Sequence, residues 1–369
     1  MKALHVTTHM GIGGIPRYII SLAKALKKRG HDCMIASSGG ALEPELKKYD
    51  IGHLPIDIRT KSELSPKVVR SIFQVRRIVK DRKVDIIHAH TRVSQVVAFF
   101  VSRMTGVPYV TTCHGFFKKR ARVIFDTWGS KVIAISSPVK AQLEGYLGVD
   151  EARVELVHNG VDVDKFLEDP SEEEIRATKK TLGIGDAPVV GTIGRLSDVK
   201  GQNLLIEALA GLIKNGMPVN GLIVGSGPEE APLKDMARSL GVEKSIYFFG
   251  ADPDTHKFLS AMDIFVLPSV MEGLGLSLLE AMASARPCIA SKVGGIPDVI
   301  EDSKTGMLFD ARDAKALSGQ IVKLLNDDKL RKDLGHAARE LVVKKFSADK
   351  MAGEIERVYR GVLDADKKK

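Results

Sequence analysis

Short runs rich in β-branched residues alternate with longer amphipathic runs along this chain, and the pattern runs through twice. Residues 3–7 read as a strand, 15–28 as a helix and 32–36 as a second strand. Helices at 65–83, 93–104 and 136–147 and strands at 84–88, 109–112, 131–135 and 154–158 complete the first pass. Such alternation predicts a parallel sheet covered by helices on both faces. Residues 159–171 carry four acidic side chains and a proline without clear periodicity, and read as a linker. The pattern then restarts, with strands at 189–193, 219–224, 246–249, 265–268 and 288–291. Helical patterns follow at 202–214, 231–240, 276–283, 296–300, 314–326, 329–345 and 347–363. The expected class is α/β, with two Rossmann-like, doubly wound domains facing a cleft, at 1–165 and 172–346, then a terminal helix and charged tail at 347–369. A length of 369 residues suits that count. Ligands in these sheets bind beyond the carboxyl ends of the strands, so the strand-to-helix loops should carry the chemistry.

With 44% hydrophobic and 27% charged residues the chain is neither disordered, collagenous nor a coiled coil. No run of 18 apolar residues predicts a membrane-spanning helix, and the first residues lack the apolar core of a secretory signal. Cys33, Cys113 and Cys288 match no disulfide framework or zinc spacing. The expected location is the cytoplasm, including the inner face of its membrane. Charge is uneven: residues 1–170 hold 27 Lys+Arg against 17 Asp+Glu, a net of +10, and the remainder nets −1. A basic half implies either an anionic partner or solubility alone.

Three loops stand out. Gly11-Ile12-Gly13-Gly14 lies between the first strand and first helix, where glycines allow close approach and a helix N-terminus favours an anion. Pro16 and Arg17 occupy the region of a third glycine and no acid closes the second strand, which disfavours a dinucleotide fingerprint. Gly194-Arg195-Leu196-Ser197-Asp198-Val199-Lys200-Gly201 follows the strand at 189–193. Its guanidinium fork and compact ammonium could neutralise a diphosphate, whereas alone they would read as two solvated cations. The third runs from Pro268 through Glu272, Gly273, Leu274, Gly275, Leu276 and Ser277 to Glu280. Free amides at that helix start suit phosphate oxygens, and its two carboxylates, one before the helix and one inside it, suit sugar hydroxyls.

Taken together, the Glu-x7-Glu string, the Gly-Arg-Leu-x3-Lys-Gly string and the early Gly-Gly loop resemble the GT-B glycosyltransferases of family 4. Thr112-Cys113-His114-Gly115 and His158-Asn159-Gly160-Val161-Asp162 extend the resemblance over nearly the whole chain. It implies a retaining transferase that moves a sugar from a UDP- or GDP-sugar to a glycan, lipid-linked or lipopolysaccharide-type acceptor, with no metal or other cofactor. By the same resemblance Arg195 and Lys200, beside Gly194, would hold the diphosphate, Glu280 the ribose and Glu272 the donor sugar. Amides of Gly273, Leu274, Gly275, Leu276 and Ser277 would meet sugar or phosphate. Gly13 and Gly14 would approach the diphosphate, His114 would sit beside the transferred sugar, and Gly225, Gly250 and Ala251 would border the base. The terminal helix would cross back to the first domain.

Fixed cations and amides stabilise a departing diphosphate without a metal. Asp162 with Asp164, Asp252 with Asp254 and Asp364 with Asp366 are therefore read as chance acidic pairs. His5, His9, His88 and His90 invite a metal reading, but no third ligand is evident beside His88 and His90, so packing or cleft-lining is expected. For the acceptor or a membrane surface the candidates are Phe116, Phe117, Lys118, Lys119, Arg120 and Arg122, where aromatics and bases interleave. The helix at 65–83 has an apolar stripe of Val68, Val69, Ile72, Val75 and Val79 among basic residues, and reads as a sheet-packing helix. Two other readings remain: a sugar-nucleotide epimerase, which lacks identifiable acid–base carboxylates, and a non-enzymatic anion- or nucleic-acid-binding protein. No nucleic-acid partner is expected, since no recognised motif for one is present.

Overall fold

The β-branched runs pair side by side, and every pairing within the two sheets is parallel. In the computed structural model, which describes residues 1–117 and 126–367, the chain forms two units. One comprises Met1–Gly160 and the chain from Ala348 onward; the other is Val161–Ser347.

The first unit holds β1 (Lys2–Val6), β2 (Asp32–Ser37), β3 (Gly52–Pro55), β4 (Ile86–Ala89), β5 (Tyr109–Cys113), β6 (Lys131–Ala134) and β7 (Val154–Leu156), in the order β3-β2-β1-β4-β5-β6-β7. The second holds β8 (Val189–Ile193), β9 (Asn220–Val224), β10 (Ile246–Phe249), β11 (Ile264–Leu267), β12 (Cys288–Ser291) and β13 (Met307–Phe309), in the order β10-β9-β8-β11-β12-β13. Each order reverses once, between β1 and β4 and between β8 and β11. Loops leaving those strands diverge to opposite faces and open a crevice there.

Local chemistry sets the helix limits. Thr91 and Ser94 form a reciprocal cap on the helix Arg92–Thr105, which ends at Gly106 in the left-handed region. Ser65 caps the helix Pro66–Arg82, whose Val68, Val75 and Val79 enter the core. Val69 of the expected stripe is instead 58% exposed, so the buried face is narrower than the sequence pattern. The terminal helix Ala348–Asp366 packs on the first-unit helix Gly14–Lys28. It buries Met351, Ile355, Tyr359 and Val362 at helical spacing, and Met351, Ile355 and Val362 each contribute roughly 1.5–3 kcal/mol through apolar burial. Arg29 adds ion pairs to Asp349 (3.2 Å) and Glu356 (2.8 Å), and with Arg360 holds the Glu356 carboxyl down to about 2.

Several elements depart from the sequence reading. Residues 161–171 belong to the second unit: Phe166 is buried there beside His256, and Asp169 pairs with Arg339. A helix at Glu172–Thr181 follows, with Ser171 and Glu174 as its cap. The expected helix at 136–147 is α-helical over Ser137–Ala141 and then widens to a π-turn over Gln142–Tyr146. Residues 296–300 form a 3₁₀ turn at Ile296–Asp298. Among the described residues no helix is long and apolar enough to cross a membrane.

Two glycines in second-unit helices separate space from propensity. A methyl at Gly335, in the helix Asp328–Lys345, would run into the Ala285 carbonyl, whereas nothing lies within 4 Å of one at Gly319, in the helix Ala314–Asn326. In urea melts, Gly335→Ala should lose about 1–3 kcal/mol through overpacking, and Gly319→Ala should gain about 0.5–1 kcal/mol. Equal shifts in the two variants would contradict this packing.

Candidate active site

The carboxyl ends of β8 and β11 put two loops side by side in the second unit. Val199 O accepts the amides of Val270 (2.9 Å) and Met271 (3.3 Å), which knits the loops together. Across that seam Lys200 Nζ meets Glu272 Oε2 at 2.5 Å, with both side chains partly shielded from water. Ser269 Oγ donates to the same oxygen at 3.3 Å, while the Gly273 amide donates to Oε1 at 3.1 Å. A carboxylate with three donors is fixed in place, and it fixes the lysine. Gly201 has φ +66° and a Cβ there would strike Pro268 O, so only glycine allows the loops this approach. Arg195 is exposed, and Gln202 Nε2 donates to its carbonyl at 3.0 Å.

Gly275, at φ +95°, opens the helix Leu276–Ala283, whose first turn has no side-chain cap and no acid. Its amide end is thus electropositive toward the loop. Glu280 lies one turn in and is only 7% exposed. Beyond β8 and β9, Ser226 ties three loops: its carbonyl accepts the Leu196 amide (3.1 Å) and its hydroxyl accepts the Ala251 amide (3.0 Å). Gly225, at φ +152°, lies so close to the Gly194 carbonyl that a Cβ would collide with it. The structure therefore gathers Gly194, Arg195, Lys200, Gly225, Gly250, Ala251 and Glu272 with Gly273, Leu274, Gly275, Leu276 and Ser277 along one edge of one sheet.

In the first unit, Gly13 precedes the helix start at Gly14, whose first turn also lacks an acid. His9 Nδ1 accepts the Gly11 amide at 3.0 Å, so His9 shapes this turn and stands outside the other histidines. Those cluster. Register pairs His5 with His88 on β1 and β4, and His90 follows β4. The sequence reading found no third partner for His88 and His90; folding supplies His5, with ring nitrogens of all three within 4.8 Å of one another. Hydrogen bonds occupy them: His5 Nδ1 with His90 Nε2 (3.0 Å), His90 Nδ1 with His114 Nε2 (3.3 Å), His88 Nε2 with Thr112 Oγ1 (2.7 Å) and His88 Nδ1 with Tyr359 Oη (2.6 Å). Burial pushes the His5 imidazole down to about 4 and His114 to about 3, and lowers His88 and His90 strongly. All four are neutral at pH 7.

Two family models match in tandem: Glycosyltransferase Family 4 over residues 12–165 and Glycosyl transferases group 1 over 174–341. The chain belongs to the group 1, family 4 GT-B glycosyltransferases. It is 26% identical to the N-acetyl-alpha-D-glucosaminyl L-malate synthase of Bacillus anthracis over 379 residues, covering 98% of this chain and 97% of that one. It is 27% identical to a UDP-Gal:alpha-D-GlcNAc-diphosphoundecaprenol alpha-1,3-galactosyltransferase of Escherichia coli over 310 residues, covering 79% of each. Its fold matches that of Anabaena Alr3699/HepE, solved with UDP-glucose, at a TM-score of 0.86 and 24% identity over 98% of this chain and 100% of the other.

The GT-B assignment fits both sheets and both switch points. Of the acidic pairs, Asp252 is engaged by Lys257 (2.6 Å) and by the Asp254 amide (2.7 Å). Phe116 is partly buried; Phe117 donates its amide to Gln142 Oε1 (2.8 Å) and its ring meets Trp128 edge-on. Lys118, Lys119, Arg120 and Arg122 lie outside the described residues. Sequence reasoning missed Ser226, Gln202 and Ser269, single polar residues whose role is visible only once their loops are adjacent.

The neutral histidines make stability pH-dependent. Their folded pKa values lie below the ordinary 6.5, so the unfolded chain binds more protons beneath that pH. Their contribution is complete above about pH 6.5 and declines as pH falls toward 4, by up to roughly 1.4 kcal/mol per pH unit for each histidine. Urea melts should give a level unfolding free energy from pH 8 to 7 and a falling one from 6.5 to 5. A level profile throughout would contradict buried neutrality.

Proposed function

We propose that this glycosyltransferase moves a sugar, with retention of anomeric configuration and without a metal, from a nucleotide-diphosphate sugar to a glycan, lipid-linked or lipopolysaccharide-type acceptor. The observation that carries the reading is the Lys200–Glu272 pair, locked beside Arg195 at the β8/β11 switch point. UDP-sugars lead the candidates, since the Escherichia coli relative is named for UDP-Gal and the Anabaena neighbour was solved with UDP-glucose; a GDP-sugar is the second.

In this mechanism Arg195 and Lys200 take the diphosphate. As the bond from the anomeric carbon to the phosphate oxygen breaks, charge grows on the leaving group, and fixed cations and helix-start amides meet it without reorganising. Glu272, held by Lys200, Ser269 and the Gly273 amide, accepts from a hydroxyl of the donor sugar through its remaining lone pair, Glu280 accepts from the ribose, and residues 273–277 offer amides. Gly225, Gly250 and Ala251 border the base. By the family resemblance, Gly13 and Gly14 are assigned to the diphosphate and His114 to the transferred sugar. The acceptor, and an anionic membrane surface that presents it, is assigned to the basic first unit, with Phe116 and Phe117 as candidate contacts.

Arg195→Ala and Lys200→Ala should each lower kcat/KM by roughly 10²–10³, equivalent to about 2.7–4 kcal/mol of transition-state stabilisation, with the melting temperature unchanged in Arg195→Ala and lowered in Lys200→Ala, which leaves the Glu272 carboxylate unmatched. Turnover should persist in EDTA, and the product should keep the donor's anomeric configuration by proton NMR. Wild-type kinetics in both variants would overturn the diphosphate roles; EDTA inactivation reversed by manganese would overturn the metal-free reading; an inverted product would overturn retention.

A further inference from the structure

The histidine cluster contains a directional chain. His5, His90 and His114 are joined end to end, His5 Nδ1 to His90 Nε2 at 3.0 Å and His90 Nδ1 to His114 Nε2 at 3.3 Å. His5 is fully buried and His90 is 2% exposed. A neutral imidazole has one N–H and one lone pair, so each link needs a donor on one side and an acceptor on the other. The three rings must therefore share one polarity.

The far end decides which. His5 Nε2 is buried and has no hydrogen-bond partner among the described residues. If the chain ran from His114 inward, all three rings would be Nε2–H tautomers and His5 would bury an unanswered N–H. If it runs from His5 outward, all three are Nδ1–H tautomers and the unanswered atom is a lone pair. Orphaned buried N–H groups are the rarer and costlier of the two. The outward polarity wins, and His114, whose Nε2 is taken by His90, is left with an N–H at Nδ1.

We propose that His5 and His90 are positioning residues for glycosyl transfer, which hold His114 as the Nδ1–H tautomer so that it presents a hydrogen-bond donor to an oxygen of the reacting sugar. The assignment rests on the proposed role of His114 in the reaction. It gives that role a sign: His114 donates, and does not take the acceptor's proton. Tyr18 packs edge-on against the His114 ring at 4.7 Å between centroids. His88 stands aside, bonded at both nitrogens to the hydroxyls of Thr112 and Tyr359.

The direct test needs no substrate. In the full chain labelled with ¹⁵N-histidine, with the His114 signals identified by their loss in His114→Gln, Nδ1 of His114 should carry the proton and Nε2 should resonate as an unprotonated nitrogen at pH 7.5. The reverse pattern, or a fast-exchanging mixture of tautomers, would overturn the proposal. Stoichiometric zinc in the purified chain, lost in His5→Gln, would also overturn it, by making the cluster a metal site. In kinetics, His90→Phe should lower kcat about 10–100-fold while leaving the affinity for UDP unchanged; an unchanged kcat would count against positioning. If the transferase reading itself fails, the wild-type chain will show no turnover or nucleotide binding while the tautomer result still stands, so the two failures are separable.

Discussion

The pairing of β8 with β11 is the constraint on which the candidate site depends. β8 ends at Ile193 and β11 begins only at Ile264, with two strands of the same sheet between them in sequence. They are adjacent because the second sheet reverses its winding between them. Their outgoing loops then share one edge, and the Val199 carbonyl, the Gly201 turn and the Lys200–Glu272 bond fasten them together. A cation and a carboxylate carried by separate loops become one preorganised element. Desolvation offsets most of the attraction within the pair, so it adds little net stability, but removing either partner leaves the other partly shielded and unmatched and is destabilising.

The first unit handles charge in the opposite way. Its surface carries the basic excess of the sequence, while its switch point is lined by imidazoles that burial keeps neutral. Neutral rings can pass hydrogen-bond polarity along a chain, which charged rings cannot, since both nitrogens of an imidazolium donate. The terminal helix takes part through Tyr359, so a residue from the end of the chain helps fix a cluster built from its first strand.

Much of this was legible in the sequence. The β-branched runs located most strands, and the strings around Arg195 and Glu272 located the loops that the switch point brings together. What was missed has physical reasons. The helix Glu172–Thr181 buries no residue, so it has no apolar stripe to find, although its Ser171–Glu174 cap was present. Edge strands β3 and β13 are short, and the Gly-His-Leu-Pro of β3 carries no β-branched residue. Residues 161–171 looked like a linker because the buried side chains that anchor them, Val161 and Phe166, are too few and too far apart to show a period, and the pairing of Asp169 with Arg339 is long-range. His5 could be paired with His88 only through strand register, which no local pattern encodes.

The central claim is that a nucleotide diphosphate is held by the loops at the β8/β11 switch point. Hydrogen-exchange mass spectrometry on the full chain, with and without UDP, GDP and ADP, reads this backbone directly. At least one nucleotide should slow amide exchange in residues 194–201 and 272–279 while leaving the helix Pro66–Arg82 unchanged. Saturating binding with protection elsewhere and none in those two loops would contradict the account.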